Sequence, residues 1–241
     1  MQPLLRIENI CVSIGEKGIV SDVSLSIRSG EIYFLMGPNG SGKSSLAYAI
    51  AGHPEYRITA GTVMLDGQDI TMMAPEERAA AGLFLSFQEP PEIGGVSMAI
   101  FLKTIAADQD PHAEGERATA LLPRLRLEPS FLSRLVNEGF SGGEKKKSEL
   151  LQFQSRKPKV AILDEIDSGL DLDSLKNVAE IISYAREEGT GFLVITHTLR
   201  LFSYIEPDRV HVLIKGKCVA SGKKEILTLL EKSGFDSIKQ A

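Results

Sequence analysis

The sequence predicts an α/β fold: a mostly parallel sheet core, a β-rich N-terminal layer and an inserted helical segment. Three observations carry that reading. Strand-like and helix-like stretches alternate through most of the 241 residues, an apolar strand runs directly into a glycine loop that opens a helix, and Val96 to Asn137 contains no β-rich run. With 43% hydrophobic residues the chain has ample material for a packed core.

The elements follow in order. Leu4 to Ser13 alternates imperfectly, Val23 to Ile27 alternates cleanly, and Glu31 to Met36 is an apolar strand ending at a glycine. Lys43 to Ala51 reads as the helix born in the glycine loop, closed by Gly52 with Pro54 beyond it. Gly61 to Gly67 reads as a strand with a turn, Pro75 to Ala81 as a short helix with proline at its start, and Leu83 to Phe87 as a strand. Pro111, Gly115, Pro123 and Pro129 punctuate short helical patches in the insertion. A helix from Gly143 to about Gln154, the strand Val160 to Leu163, a helix from Asp173 to Glu187 and the strand Gly191 to Thr196 restore the alternation. Arg209 to Ile214 and Lys217 to Ala220, joined at Lys215-Gly216, read as a hairpin before a terminal helix, Lys224 to Lys232.

Composition excludes several classes. Apolar runs such as Leu83-Phe84-Leu85 are far shorter than the roughly 20 residues of a membrane span, and the start Met1-Gln2-Pro3-Leu4 lacks a signal-peptide pattern. The chain is therefore expected in the cytoplasm, reaching a membrane only through a partner and never by direct insertion. Cys11 and Cys218 are far apart and match no motif, so both read as reduced thiols. A net charge of −5 without a long basic block argues against nucleic-acid binding.

The chemistry begins at Gly37-Pro38-Asn39-Gly40-Ser41-Gly42-Lys43-Ser44, a full phosphate-loop pattern between a strand and a helix. The glycines let backbone N–H groups wrap phosphates, Lys43 reaches the β and γ phosphates, and Ser44 is a ligand for Mg²⁺. These residues and the following Ser45 are the expected nucleotide-binding set. The strand at Val160 ends in Asp164 and Glu165, one carboxylate suited to Mg²⁺ and one to orienting or deprotonating a water. Ser141-Gly142-Gly143 opens a second helix and offers bare N–H groups and a positive dipole end to an anion. The chain thus has two anion cradles. On spacing alone Gln88 and His197, each after a strand, read as polar loop residues. His53, His112 and His211 have no such context.

In order, the phosphate loop, Gln88, Ser141-Gly142-Gly143, Leu163-Asp164-Glu165, Ser168-Gly169-Leu170-Asp171 and His197 resemble the ATP-binding-cassette (ABC) ATPases, over nearly the whole chain. That resemblance implies an ABC-type P-loop ATPase: a RecA-like, mostly parallel sheet core with an N-terminal antiparallel β layer and an inserted helical subdomain. Residues 1–241 would form one ABC domain, with 1–92 and 139–241 as core and about 93–138 as the insertion. It implies ATP and Mg²⁺ as cofactors, with Ser44, Gln88 and Asp164 at the metal. Glu165, His197, Gln88 and Lys43 are the implied catalytic set. Ser141, Gly142, Gly143, Glu144 and Asp171 would act in trans, in a transient ATP-dependent self-dimer.

A narrower resemblance rests on Phe140-Ser141-Gly142-Gly143-Glu144-Lys145-Lys146-Lys147, where transporter cassettes typically read Leu-Ser-Gly-Gly-Gln before an arginine-rich helix, and on Leu163 to Asp173. It looks like the SufC group, the ATPases of the SUF iron–sulfur cluster assembly machinery, and implies SufB- and SufD-like scaffold partners. Other readings are the cytoplasmic ATPase subunit of a membrane transporter and a nucleotide-gated clamp whose hydrolysis is only a reset. Ser45, Gly94 and Lys147 depart from the SufC pattern, which has Thr, Pro and Arg there. Residues 1–30 hold no Phe, Tyr or Trp to stack on adenine, and the region of Ile14 offers only aliphatic contact. Two further expectations concern regulation and docking: that Lys145 to Lys147 pair with Glu165 or Asp167, and that the apolar stretch Ile93 to Ile105 faces a groove for a partner helix.

Overall fold

The computed structural model describes residues 2–106, 111–235 and 238. Strands β1 (Leu5–Ile14), β2 (Lys17–Ile27) and β3 (Ile32–Met36) lead into helix α1 (Lys43–Ala51), followed by β4 (Arg57–Leu65), β5 (Gln68–Asp69), α2 (Pro75–Ala81) and β6 (Leu83–Ser86). The insertion comprises β7 (Ile93–Ser97), α3 (Met98–Ile105), α4 (Pro111–Leu121), a 3-10 turn (Pro129–Ser133) and β8 (Leu135–Val136). The chain then runs through α5 (Gly142–Arg156), β9 (Val160–Asp164), α6 (Leu172–Glu187), β10 (Gly191–Thr196), a 3-10 turn (Arg200–Ser203), β11 (Arg209–Ile214), β12 (Lys217–Gly222) and α7 (Lys224–Ser233).

Two sheets result. The N-terminal layer is antiparallel in the order β2-β1-β4-β5, and the main sheet runs β12-β11-β3-β10-β9-β6, parallel except for β12. Strand β3 is buried on both faces, which is why it reads as a continuous apolar run. Its period-2 alternation divides the core: Ile32, Phe34 and Met36 join the cluster against α5, α6 and the insertion, while Tyr33 and Leu35 join the one against α1 and the N-terminal layer. Arg78, only 4% exposed, sews the second cluster shut by donating to the carbonyls of Ala49 and Ile50 at the end of α1, and to those of Thr71 and Met73.

The insertion corrects one expectation. Strands β7 and β8 form a two-stranded ribbon, with Ile93 opposite Val136 and Ser97 opposite Leu135. The ribbon closes across the segment that carries α3, α4 and the 3-10 turn, and its first strand is broken by Gly94-Gly95, so no local periodicity betrays it. The apolar stretch behind it is partly core and partly surface, with Ile100 59% exposed. Met98 and Leu102 are 0% and 1% exposed and pack into the core with Phe131, Val136 and Phe140. A groove of about 440 Å³ does open beside it, lined by Leu83, Phe84, Leu85, Phe87, Thr104 and Ile105 among others. Met98 and Leu102 thus hold the insertion together, Ile100 faces out, and the last turn of α3 reaches the groove.

Candidate functional site

Parallel pairing explains why motifs more than a hundred residues apart meet. Met36 at the end of β3 pairs with Thr196 of β10, Ile195 pairs with Asp164 of β9, and Leu163 pairs with Ser86 of β6. The residues following these strands therefore emerge along one edge of the sheet: the glycine loop, His197, Glu165 and Gln88.

The loop is held by its own geometry. Gly37 has φ 155°, and a Cβ there would lie 2.1 Å from the Leu213 carbonyl oxygen, so only glycine fits. Pro38, Asn39, Gly40 and Ser41 continue the turn, and Gly42 precedes α1 in a left-handed conformation with no side-chain cap, leaving first-turn N–H groups for an anion. Lys43, 5% exposed, folds back so that Nζ donates to the carbonyls of Gly37 (2.9 Å) and Pro38 (3.1 Å). Burial pushes its pKa down, against the opposing pull of Glu165 and Asp164. Ser44 and Ser45 follow half-buried in the first turn of α1.

Asp164 is fully buried, and neither carboxylate oxygen has a hydrogen-bond partner among the described residues. Burial raises its pKa, and Ser44 opposes the rise. A buried carboxylate with both oxygens unsatisfied, beside a serine hydroxyl, is a donor set that fits a hard divalent cation. Glu165 lies next in sequence with φ 50°, a left-handed conformation uncommon for glutamate, and its N–H donates to the Ile195 carbonyl at 2.9 Å. The turn aims the carboxylate between two partners. Oε1 lies 3.0 Å from His197 Nδ1, and Oε2 accepts from Gln88 Nε2 at 2.9 Å. That hydrogen bond leaves the Gln88 amide oxygen as the donor for a cation.

Among the described residues no ion pair or hydrogen bond joins Lys145, Lys146 or Lys147 to Glu165 or Asp167, although both carboxylates exert their charge on the buried Lys146. Asp167 is already engaged, its Oδ2 accepting from the hydroxyls of Thr196 (2.8 Å) and Thr198 (2.5 Å). Lys145 pairs with Glu92 at 3.8 Å, and Lys146 donates to the carbonyls of Gln88 (3.0 Å) and Phe87 (3.4 Å). Lys147 exerts its charge on Asp171. Successive helix residues point about 100° apart, so the three adjacent lysines make different contacts, and Lys146 feels the charges of Glu165 and Asp167 without pairing with either.

The second cradle is built differently. Ser141 caps α5: its Oγ accepts from the Glu144 N–H at 3.3 Å, and Glu144 Oε2 accepts from the Ser141 N–H at 2.9 Å. Arg134 binds the other oxygen of Glu144 while its guanidinium lies 4.2 Å from the centre of the Phe140 ring. The Ser141 N–H bond, with help from Arg134, holds the Glu144 carboxyl below its usual range. At Gly142 and Gly143 an added Cβ would meet no described atom within 4 Å. Asp171 caps α6 through the Ser174 N–H at 2.7 Å. Among the described residues, no hydrogen bond or ion pair joins Ser141, Glu144 or Asp171 to Lys43, Asp164 or Glu165. The predicted residues therefore fall into two groups on the chain.

Sequence reasoning missed Glu149, which is 3% exposed in mid-helix with Oε2 accepting from the Phe87 N–H at 3.0 Å. Its spacing from Lys146, Leu150 and Phe153 on the buried face of α5 was the available signal. Of the histidines without a motif, His211 is a core residue at 5% exposure and His53 packs against Tyr48 and Tyr56; the His112 side chain lies outside the described residues.

Comparison with known proteins agrees with this geometry. A family model described as ABC transporter matches residues 20–168. "Vegetative protein 296" of Bacillus subtilis is 47% identical over 98% of the chain and 93% of its own length. "Probable ATP-dependent transporter ycf16" of Antithamnion sp. is 45% identical over 98% of each. Among solved structures, a nucleotide-free ATP-binding cassette from an ABC transporter superposes with a TM-score of 0.79 at 26% identity, covering 99% of each chain.

Proposed function

Since this chain belongs to the ABC transporter family of ATP-binding cassettes, and so is an ATP-hydrolysing enzyme that works with Mg²⁺, we propose that it is the ATPase subunit of the SUF iron–sulfur cluster assembly machinery. Two chains would close on ATP and thereby move a SufB- and SufD-like scaffold. What supports the catalytic part is one observation above others: both oxygens of Glu165 are held, one by His197 and one by Gln88, next to a lysine and an unsatisfied aspartate.

In this reading Lys43 exchanges two backbone carbonyls for phosphate oxygens, an interaction stronger than those it leaves because both partners are charged. Glu165 accepts the proton of the attacking water, and His197 and Gln88 fix its direction. Mg²⁺, held by Ser44, Gln88 and Asp164, would neutralise charge on the phosphates. The cradle at Ser141 to Gly143 supplies N–H groups to the γ-phosphate bound by another chain, with Asp171 at the same interface. Replacing Glu165 with Gln keeps the side-chain shape and one accepting oxygen but removes the proton acceptor. ATPase activity is expected to fall by a factor of about 10² or more with ATP still bound, and an undiminished rate would contradict the assignment.

The iron–sulfur part is supported by the sequence at Phe140 to Lys147 and Leu163 to Asp173. A specific observation favours a second reading, since several relatives carry the name of ATP-dependent transporter. The scaffold's docking place would be the groove of Phe84, Phe87, Thr104 and Ile105. Purifying the tagged full chain from its native cell and identifying what comes with it decides between the two. SufB- and SufD-like proteins support cluster assembly; a polytopic membrane protein in their place overturns it.

A further inference from the structure

The side chain of Gln88 reaches Glu165, but residue 88 lies two positions beyond the last paired residue of β6, so the sheet does not hold its backbone. Helix α5 holds it instead. Glu149 Oε2 accepts from the Phe87 N–H at 3.0 Å, while Lys146 Nζ donates to the Gln88 carbonyl at 3.0 Å and the Phe87 carbonyl at 3.4 Å. Three polar groups on two consecutive residues are thus taken by one helix. Both side chains are nearly sealed from solvent, Glu149 at 3% and Lys146 at 5% exposure. Two buried ionisable groups one helical turn apart are a costly choice where leucine would pack, and the peptide groups they satisfy account for them.

The same helix begins at the second cradle. Gly142 and Glu149 are separated by about 10 Å of continuous helix, at 1.5 Å per residue. A rigid rod therefore joins Ser141-Gly142-Gly143 at one end to the backbone of Gln88 further along. We propose that Glu149 is a positioning residue for hydrolysis: with Lys146 it ties the Phe87–Gln88 backbone to α5, so that the Gln88 amide meets Glu165 only when the signature end of that helix is in place. The proposal rests on reading Glu165 as the proton acceptor. It adds a route by which anion binding at the second cradle reaches the first.

Glutamine is a fair stand-in at 149, because an amide oxygen accepts the Phe87 N–H as a carboxyl oxygen does; leucine keeps the bulk and removes the acceptor. Burial pushes the Glu149 carboxyl up to about 7, yet an oxygen remains to accept whether or not the group holds a proton.

The test uses the full-length chain as Glu149→Gln and Glu149→Leu, with two readouts. The first, the amide resonance of Phe87 and hydrogen exchange at residues 86–89, needs no turnover. It is expected to shift in both variants, with exchange about tenfold faster in the leucine variant, the factor that one hydrogen bond carries. The second is steady-state ATPase. The leucine variant is expected to lose about tenfold in kcat with KM for ATP held within about twofold, and the glutamine variant to stay within about threefold of wild type in kcat. An unmoved Phe87 resonance overturns the proposal, as does wild-type kcat in a folded leucine variant, a rise in KM alone, or glutamine as damaging as leucine. If the leucine variant does not fold, the Phe87 resonance in the glutamine variant decides. An active Glu165→Gln protein would sink the catalytic reading while leaving the Phe87 result intact, so the two failures are separable.

Discussion

The two anion cradles are both glycine-rich entries to helices, yet their glycines answer to different demands. In the first, Gly37 is dictated by the chain's own packing, with the Leu213 carbonyl 2.1 Å from where a Cβ would stand. In the second, Gly142 and Gly143 face open space with no described atom within 4 Å of an added Cβ, and neither has a positive φ. Nothing inside this chain requires glycine there. Under the proposed function, the glycines leave room for close approach of an anion from outside to the N–H groups at the start of α5. The first cradle's glycine is explained within the chain, and the second, in the proposed function, serves a nucleotide bound by another chain.

The sharpest way to break that contrast is to add one methyl group to each. Gly37→Ala drives a Cβ into a backbone carbonyl and is expected to destabilise the fold by about 3 kcal/mol or more. Gly143→Ala is expected to change stability by less than about 0.5 kcal/mol, since alanine suits a helix and meets nothing. Urea denaturation of both variants checks the pair, and equal losses would erase the distinction.

A pH series separates the cradles from the scaffold beneath them. Burial depresses the pKa of His211 to about 4 from an ordinary 6.5. The unfolded chain therefore takes up a proton that the folded chain refuses until about pH 4. Stability is full above about 6.5 and is lost as pH falls toward 4, by up to about 3 kcal/mol from this residue. His211→Gln is expected to flatten that slope in denaturant titrations at pH 7, 5.5 and 4.5, without altering nucleotide binding at pH 7. The smallest effect concerns the base. The first cradle grips phosphates, and Ile14, 40% exposed, stands where an aromatic platform would be expected. Discrimination between ATP and GTP is expected to stay below about tenfold in Kd, the energy of one stacking contact.

The legibility of these regions in sequence follows the same division. The glycine loop, Asp164 and Glu165 are legible from their order after strands, since in a parallel sheet such residues emerge at one edge, whereas Gln88 and His197 read as loop residues on spacing alone and take their roles from the family resemblance. Partners across space are not legible in this way. The adjacent lysines looked like one cluster and proved to serve Glu92, two carbonyls and the surroundings of Asp171, since helical rotation separates neighbours. Glu149 carried a readable sign, an acid on a buried helix face, but nothing local named Phe87 as its partner. The β7–β8 ribbon and the first half of β2 were hidden for a related reason: glycines interrupt their periodicity, and pairing partners supply what local pattern lacks.

The central claim, that hydrolysis joins the first cradle of one chain to the second cradle of another, has a direct test in mixing. Lys43→Ala disables the first cradle and Gly143→Asp, which sets a negative charge where phosphate would approach, disables the second. Each variant alone is expected to be inactive, with ATPase down by about 10² or more. Mixed in equal amounts, they are expected to recover activity, because some pairs then contain one site with both halves intact. No recovery on mixing, in proteins shown to be folded, would mean that each chain completes its own site and would contradict the account.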